Sequence, residues 1–293
     1  MEKTGDKPRV ALVYNRNQRV GIGERCQRVL EAASGLSATQ FDLKDIRSVK
    51  SGFDLYLRLD DGDYGEPFPD LHPYAWWVAD THIGHAFRKI AAHGARCDHL
   101  FCFQKEGAER VSRQTGKTVH WLPAAADYCS PSPVFVPHAK RKWDIAFIGT
   151  TGKFSLRKVA LELIKSEYPN SFIGTAPHTE LFQYYSNARI VVNYAINNDI
   201  NMRAFEAAGA GALVLNYRIV NNGFEEIFKA GENCAVFSDV TTPELKENID
   251  FYRANPAYVE RIAKNGFDLV NSQHTYKHRL DAIFRTVGLD VVI

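Results

Sequence analysis

Residues 193–216 read NYAINNDINMRAFEAAGAGALVLN and dominate the prediction of the fold. The β-branched run Ile190–Val192 before them is typical of a buried parallel strand, and Ala212–Leu215 predicts the next strand. Between the two strands, the polar loop 197–201 supplies turn and N-cap residues, and Met202–Ala208 is rich in strong helix formers. A helix that begins at the carboxyl edge of a parallel strand points backbone N–H groups towards a ligand crevice.

The start of this helix has the composition of an anion site. Arg203 lies in the first turn, where the helix dipole disfavours a cation unless an anion sits in front of it. Phosphate binds readily at such helix starts, so Asn201, Met202 and Arg203 are candidate phosphate contacts. Glu206, one turn further, is placed to accept hydrogen bonds from a sugar hydroxyl. The alternative is an ordinary strand–helix turn in which Arg203 and Glu206 are solvated.

The rest of the chain repeats the same alternation of strands and helices, which predicts a parallel sheet covered on both faces. The alternation begins with the strand Arg9–Tyr14, is interrupted once, and then resumes, with a predicted helix at Phe224–Ala230 and a predicted strand at Ala235–Phe237. The interruption, Ser130–Lys142, contains three prolines and a basic cluster. Such a segment is typical of a stiff, exposed connection. The basic run His138–Lys142 within it could bind phosphate, although a solvated linker face is the more ordinary interpretation.

Four segments resemble one family of enzymes: WLPAAAD at 121–127, DIAFIGT at 144–150, NMRAFEAAGAGALVL at 201–215 and NSQHTYKHRLDAIF at 271–284. In their order and spacing they resemble the CgeB-type, spore-maturation-like glycosyltransferases of the GT-B class. The resemblance extends over roughly residues 75–284 and is stronger in the second half.

The resemblance implies an α/β, GT-B-like fold, in which two Rossmann-like domains face a cleft. It implies an N-terminal acceptor domain over residues 1–135 and a donor domain over 136–275, with a C-terminal helix at 276–293 that packs back on the first domain. The implied activity is a metal-independent transfer of sugar from a nucleoside-diphosphate-sugar donor to an acceptor nucleophile. The nucleotide sugar is then a co-substrate, and no cofactor is expected.

In many retaining enzymes of this class, two glutamates eight positions apart bracket the donor loop. Glu206 matches the second glutamate, which binds the ribose, whereas Asn198 occupies the first position. An asparagine can also hydrogen-bond hydroxyl groups, so sugar binding is still expected. The residues leave open whether the reaction retains or inverts the anomeric configuration.

A second loop is expected to face the diphosphate. Gly149 and Thr150 follow a predicted strand, and small residues there let a phosphate approach the backbone. Lys153 or Arg157 could neutralise that phosphate. A plain strand–helix turn with surface cations is the alternative. His178, after the next predicted strand, would lie beside the nucleotide base.

Catalytic candidates come from the first half of the chain. Asp80 and His82 follow the predicted strand Ala75–Val78, and a carboxylate beside an imidazole can act as a base and its orienting partner. The resemblance also implies an acid–histidine pair about here. The alternative is a helix N-cap at Asp80 and a surface His82.

A separate acidic cluster could indicate a metal. Asp60, Asp61 and Asp63 form an Asp-x-Asp pattern, which in another class of glycosyltransferases holds a divalent cation and a diphosphate. Because Asp-Gly-Asp is also a common turn and the two-domain pattern does not suit that class, we expect no metal site. Asp60 and Asp61 could still contact acceptor hydroxyls.

Bulk composition narrows the classes of function. The 293 residues carry a net charge of +2, which provides no electrostatic basis for binding nucleic acid or an anionic membrane. No apolar run is long enough to span a bilayer, and the first ten residues lack the apolar core of a signal peptide. The five cysteines form no Cys-x-x-Cys pair, which favours reduced thiols. We therefore expect a cytoplasmic protein.

Three rival functions fit parts of the same pattern. A non-catalytic module could bind a nucleotide sugar without hydrolysing it, and the change at Asn198 supports this interpretation. A nucleotide-sugar epimerase of the same fold would convert the donor without an acceptor. A DNA-base-modifying enzyme would require a basic cleft, which the near-neutral charge disfavours.

Overall fold

The computed structural model describes residues 7–16, 21–59, 64–127, 133–152, 155–240 and 243–293. The chain forms two compact units. The first consists of Met1–Pro123 together with Tyr276–Ile293, and the second of Ala124–Thr275.

The first unit contains a six-stranded parallel sheet in the order β2-β1-β3-β4-β5-β6. Its strands are β1 (Arg9–Tyr14), β2 (Ser37–Asp42), β3 (Leu55–Leu59), β4 (Tyr74–Val78), β5 (His99–Cys102) and β6 (Val119–Trp121). Its helices are α1 (Ile22–Ala32), α2 (Gly84–Gly94), α3 (Lys105–Thr115) and α10 (Tyr276–Val287), with a 3-10 helix at Leu43–Ser48. Every residue of β3 and β4 is buried, because helices and loops cover both faces of a doubly wound sheet.

Helix α10 packs within the first unit although it ends the chain. The ring of Tyr276 lies 6.1 Å from that of Trp77 on β4, and the guanidinium of Arg25 on α1 lies 5.6 Å above Tyr276. Nε of Arg279 donates a 2.8 Å hydrogen bond to the carbonyl of Pro123. These contacts attach the last helix to the first sheet.

The second unit contains a five-stranded parallel sheet in the order β11-β10-β9-β7-β8. Its strands are β7 (Trp143–Ile148), β8 (Ser171–Gly174), β9 (Ala188–Asn193), β10 (Leu213–Tyr217) and β11 (Ala235–Phe237). Its helices are α4 (Leu156–Glu167), α5 (Leu181–Ser186), α6 (Met202–Gly209), α7 (Phe224–Ile227), α8 (Glu244–Ala254) and α9 (Pro256–Gln273). Two 3-10 helices, His138–Lys140 and His178–Glu180, complete the unit.

The strand order of the second unit reverses between β7 and β9. From β7 the chain moves outwards to β8 on one side, and then returns to β9, β10 and β11 on the other. In open parallel sheets, ligands bind outside the carboxyl ends of the strands at such a reversal. The ends of β7 and β9 at Ile148 and Asn193 therefore define where a ligand site is expected.

Most predicted elements have the observed type, with ends that differ by a few residues. The observed α7 ends at Ile227, whereas the sequence predicts a helix up to Ala230. The two compact units divide after Pro123, whereas the sequence analysis expects a boundary at residue 135.

The basic run His138–Lys142 differs from the exposed, solvated linker that the sequence predicts. His138 and Arg141 are each only 3% exposed, although Lys140 and Lys142 are exposed. The Arg141 guanidinium donates hydrogen bonds to four backbone carbonyls, which belong to Val136, Tyr185, Ala188 and Ala210. Arg141 thus anchors the entry segment to the second unit, which hydropathy alone does not reveal.

Within the part of the chain that the structure describes, every helix is too short or too polar to cross a bilayer.

Candidate functional site

Several of the predicted donor residues gather where β7 and β9 end. Arg203 extends from the first turn of α6, and its Nε donates a 2.8 Å hydrogen bond to the carbonyl of Ile148, the last residue of β7. Its guanidinium carbon lies 4.3 Å from the centre of the buried Phe147 ring, close enough for a cation–π interaction. Arg203 is therefore held in place at the reversal of the strand order.

Arg203 also bonds to a network of three asparagines, which it contacts through Asn193. Its Nη1 donates a 2.8 Å hydrogen bond to Oδ1 of Asn193. Nδ2 of Asn193 donates to Oδ1 of Asn216, at the end of the neighbouring strand β10, at 2.7 Å, and to Oδ1 of Asn201 at 3.1 Å. Asn193 and Asn216 are fully buried and lie opposite each other in the register of β9 and β10. This network orients the guanidinium and satisfies buried amides that would otherwise cost free energy.

A second arginine lies beside the first. Arg157 on α4 is 8% exposed, and it donates hydrogen bonds to the carbonyls of Tyr194 at 2.9 Å and Thr150 at 3.0 Å. Its guanidinium lies 5.8 Å from the same Phe147 ring. Burial and then the nearby charge of Arg203 lower the pKa of Arg157 to about 10, so it remains a cation at neutral pH.

Neither Arg157 nor Arg203 forms an ion pair with a carboxylate among the described residues. Partly buried charges are expensive to desolvate unless an opposite charge compensates them. The arrangement therefore suits an anion with several oxygen acceptors, such as a diphosphate.

Gly149 is required by the close approach of Arg203. Its φ is +144°, a conformation that side-chain-bearing residues rarely adopt. A Cβ at this position would lie 2.3 Å from Nη2 of Arg203. Gly149 in the predicted small-residue turn thus leaves room for the guanidinium of Arg203. The carbonyl of the next residue, Thr150, accepts a hydrogen bond from Arg157 and orients it.

Asn201 precedes α6 without capping it by a side-chain hydrogen bond. Its amide instead exchanges hydrogen bonds with Asn193, at 3.1 and 3.2 Å. The start of α6 is consequently not closed by this side chain, and it adjoins the two arginines. A helix start of this kind adds to the attraction for phosphate. Met202, the first residue of α6, is half-buried.

Glu206 lies one turn into α6, as the sequence predicts, and is 6% exposed. The hydroxyl of Tyr185, a buried residue of α5, donates a 3.4 Å hydrogen bond to Oε2 of Glu206. This contact fixes the direction of the carboxylate.

Asn198 has a role that its sequence position does not suggest. Its Nδ2 donates to the carbonyl of Val220 at 2.7 Å, and its Oδ1 accepts from the Val220 N–H at 2.8 Å. Asn197 and Asn198 both have positive φ, which asparagine tolerates better than most residues. Asn198 therefore ties the donor loop to the loop after β10.

The remaining predicted donor residues are His178 and Lys153. Nε2 of His178 lies 4.0 Å from Oδ2 of Asp127, and both side chains are largely buried. Lys153 lies outside the described residues, as do Asp60, Asp61 and Asp63. The described residues contain no cluster of His, Cys, Asp or Glu arranged to hold a metal ion.

The candidate catalytic pair lies in the loop after β4 of the first unit. Asp80 has φ +53°, a left-handed conformation that is uncommon outside glycine and that often marks functional loops. Between Asp80 and His82, the buried Thr81 donates a 2.8 Å hydrogen bond to Gln104 and so anchors the loop. Nδ1 of His82 is buried and lacks a hydrogen-bond partner among the described residues.

The sequence analysis missed Asn193, Asn216 and Phe147. A usable signal exists for the asparagines, because RIVVN and LVLN each end an apolar strand with the same polar residue. A polar side chain at the carboxyl end of a buried parallel strand points to a ligand edge. No comparable signal marks Phe147.

The sequence model of the glycosyl transferase-like family matches residues 134–285, which span more than half of the chain and include the whole arginine–asparagine network. The chain belongs to the glycosyl transferase-like family. No curated protein matches the sequence.

Solved structures agree with this membership at the level of the fold. An alpha-glucosyltransferase in complex with UDP-glucose and DNA is 10% identical with a TM-score of 0.68, and the match covers 96% of this chain and 99% of that chain. Alr3699/HepE of Anabaena, solved with UDP and glucose, is 11% identical with a TM-score of 0.68, over 95% of this chain and 99% of that one. A sucrose-phosphate synthase from Thermosynechococcus elongatus is 13% identical with a TM-score of 0.66, and the match covers 96% of this chain and 99% of that chain. These likenesses confirm the predicted α/β, GT-B-like fold class.

Proposed function

We propose that this glycosyl transferase-like protein transfers a sugar from a nucleoside diphosphate sugar to an acceptor nucleophile, without a bound metal. The observation that carries the proposal is the pair Arg157 and Arg203, which lie at the reversal of the strand order without a carboxylate partner among the described residues. Fixed cations can stabilise a leaving diphosphate electrostatically in place of a metal.

The residues have distinct roles in this proposal. As the bond between the anomeric carbon and the diphosphate breaks, the diphosphate leaves with the electron pair, and Arg157, Arg203 and the start of α6 stabilise its charge. Glu206 accepts hydrogen bonds from the ribose hydroxyls. In an inverting reaction, the acceptor nucleophile bonds to the anomeric carbon, and its proton passes to Asp80 or His82.

We further assign the chain to the CgeB-type enzymes within the family, which the segment NMRAFEAAGAGALVL supports. A cytoplasmic location is supported by the described cysteines, Cys26, Cys97, Cys102 and Cys234, which are all free thiols. The net charge of +2 supports an acceptor other than nucleic acid.

The first test is a thermal-shift screen of nucleoside diphosphates. A ligand at about 100 times its Kd stabilises the protein by about 2.7 kcal/mol, which is readily visible. The screen is run with and without EDTA, and we expect one nucleotide to bind equally in both. Binding that requires Mg²⁺ or Mn²⁺ would overturn the metal-independent part of the proposal.

Incubation with the matching nucleotide sugar then separates the rival functions. We expect slow donor hydrolysis without an acceptor, since water can replace the acceptor nucleophile. A sugar epimer as the product would indicate an epimerase, whereas tight binding without turnover would indicate a non-catalytic module. Sugar transfer to duplex DNA would contradict the proposed acceptor class.

A further inference from the structure

A cluster of aromatic rings lies on the surface of the second unit, at the sheet edge formed by β8. The rings of Trp143 and Phe172 stack at a centroid distance of 4.7 Å, and Tyr184 on α5 lies 5.7 Å from Trp143 and 5.0 Å from Phe172. All three side chains are partly exposed, and they line a groove of about 420 Å³. We call Trp143, Phe172 and Tyr184 the aromatic platform.

The aromatic platform is separate from the arginine site. Trp143 is the first residue of β7, whereas Ile148, whose carbonyl binds Arg203, is the last. At about 3.3 Å per residue, the two ends of this strand lie roughly 16 Å apart. A ligand on the platform therefore does not occupy the proposed donor site.

Polar groups with unused hydrogen-bonding capacity surround the rings. The exposed side chains of Glu180 and Gln183 make no hydrogen bond with any described residue. Nδ2 of Asn187 donates to the Gln183 carbonyl at 2.8 Å, which leaves its Oδ1 as an acceptor. The ammonium of Lys142 lies 5.2 Å from the centre of the Trp143 ring system. Among its described lining residues, the groove thus combines aromatic rings with a carboxylate, amides and one ammonium.

This combination matches the surface of a sugar. A pyranose ring presents C–H groups on its faces, which pack on aromatic rings, and hydroxyl groups at its edge, which bond to amides and carboxylates. A phosphodiester chain fits less well, because Lys142 is the one cation among the described residues that line the groove, and Glu180 would repel phosphate. A purely apolar partner would leave the polar groups unpaired. The groove volume lies within the range of roughly 300–1,000 Å³ typical of small-ligand sites.

We propose that the aromatic platform binds an oligosaccharide at a site separate from the donor site. The proposal concerns binding alone and does not depend on the catalytic activity proposed above. A carbohydrate held here would keep a glycan chain on the protein between encounters with the donor.

The test uses calorimetry with maltohexaose, cellohexaose and chitohexaose, each without nucleotide. We expect at least one of the three to bind the wild-type protein. Tyr184→Ala removes one ring and Gln183→Ala removes one amide, and each should weaken binding about tenfold. Both positions lie on the partly exposed helix α5, so both variants should fold.

The matched control is Phe251→Ala, which removes another exposed aromatic side chain of the second unit, on α8. It should leave oligosaccharide binding unchanged, and none of the three variants should alter thermal stabilisation by nucleoside diphosphates. Failure of all three oligosaccharides to bind, or binding that survives Tyr184→Ala, would overturn the proposal. Self-association that Tyr184→Ala abolishes, without oligosaccharide binding, would instead assign the platform to a second copy of the chain.

Discussion

Nη1 of Arg203 donates a hydrogen bond of 2.8 Å to Oδ1 of Asn193, a side chain that is fully buried. A neutral amide thus orients the cation without cancelling its charge. A carboxylate at the same place would orient the guanidinium equally well, but it would neutralise the charge that an anionic ligand requires. The choice of asparagine therefore favours binding of an anion over internal pairing.

This relationship predicts the effect of Asn193→Asp. The added carboxylate should pair with Arg203 and weaken binding of the nucleoside diphosphate selected by the screen by about tenfold. Calorimetry measures the affinity, and circular dichroism verifies the fold. Asn265→Asp, at an exposed amide on α9, is the control and should bind the nucleotide normally. Unchanged affinity in a folded Asn193→Asp protein would show that Arg203 does not contact the diphosphate.

Arg203→Gln should remove the cation while keeping a hydrogen-bond donor at the end of β7. Loss of charge-assisted hydrogen bonds worth about 1.5–3 kcal/mol corresponds to a tenfold to hundredfold weaker affinity for the nucleoside diphosphate. Lys158→Gln is the matched control, because Lys158 is an exposed cation on α4 that pairs with Glu162. Equal losses in the two variants would indicate a general charge effect rather than a site.

Glu206→Ala should weaken binding of the ribonucleoside diphosphate by about tenfold to a hundredfold, because the ribose loses a charged acceptor. The 2′-deoxynucleotide should lose less affinity, since it lacks one of the hydroxyls in question. Tyr185→Phe removes the hydroxyl that orients Glu206 and should produce a smaller loss of the same kind. If Glu206→Ala weakens the binding of the ribonucleotide and of the 2′-deoxynucleotide by the same factor, the carboxylate does not bind the 2′-hydroxyl.

Asp80→Asn and Asp80→Gly should lower kcat by about 10²–10⁴-fold while nucleotide affinity remains unchanged. Both replacements tolerate the left-handed backbone at φ +53°, so the fold should be kept. His82→Gln tests the second candidate in the same assay. His85→Gln, at an exposed position near the start of α2, is the control and should retain full activity. A loss of nucleotide binding in the Asp80 variants would contradict their assignment to the acceptor.

The fold was predictable from the sequence because most strands are continuous apolar runs separated by helical patterns. RVALVY at Arg9–Tyr14 and AVF at Ala235–Phe237 begin and end where their patterns do. The helix predicted up to Ala230 ends at Ile227, where Phe228 adopts an extended conformation and packs on Phe205. Tertiary packing overrides local propensity at such positions.

The site was predictable only in part. Arg203 and Glu206 could be proposed from their place on a helix that follows a strand, because that argument is local. The partners of Arg203 could not, because Ile148 and Phe147 come from a strand more than fifty residues earlier. The burial of His138 is a non-local effect of the same kind, since its Nε2 lies 3.0 Å from the carbonyl of Gly211.

The last prediction concerns stability at acidic pH. Burial, and then the charge of Arg141, lower the pKa of His138 from 6.5 to about 4, with a further contribution from Arg189. Between these values the unfolded chain binds a proton that the folded chain does not, so the free energy of unfolding falls as the pH is lowered through this window. From pH 7 to pH 5 this effect should cost about 2 kcal/mol.

Urea unfolding at pH 7 and pH 5 tests this with His138→Gln, whose amide can still donate to the Gly211 carbonyl but does not titrate. Between pH 7 and pH 5, the free energy of unfolding of the variant should fall by about 2 kcal/mol less than that of the wild type. His72→Gln is the control of opposite sign. A hydrogen bond to Asp98 raises the pKa of His72, so its contribution is present below pH 6.5 and declines as the pH rises through the folded-state pKa. His72→Gln should therefore slightly increase the decrease in the free energy of unfolding between pH 7 and pH 5. If this decrease were the same in the wild type and in His138→Gln, the pKa of His138 would be unshifted in the folded protein.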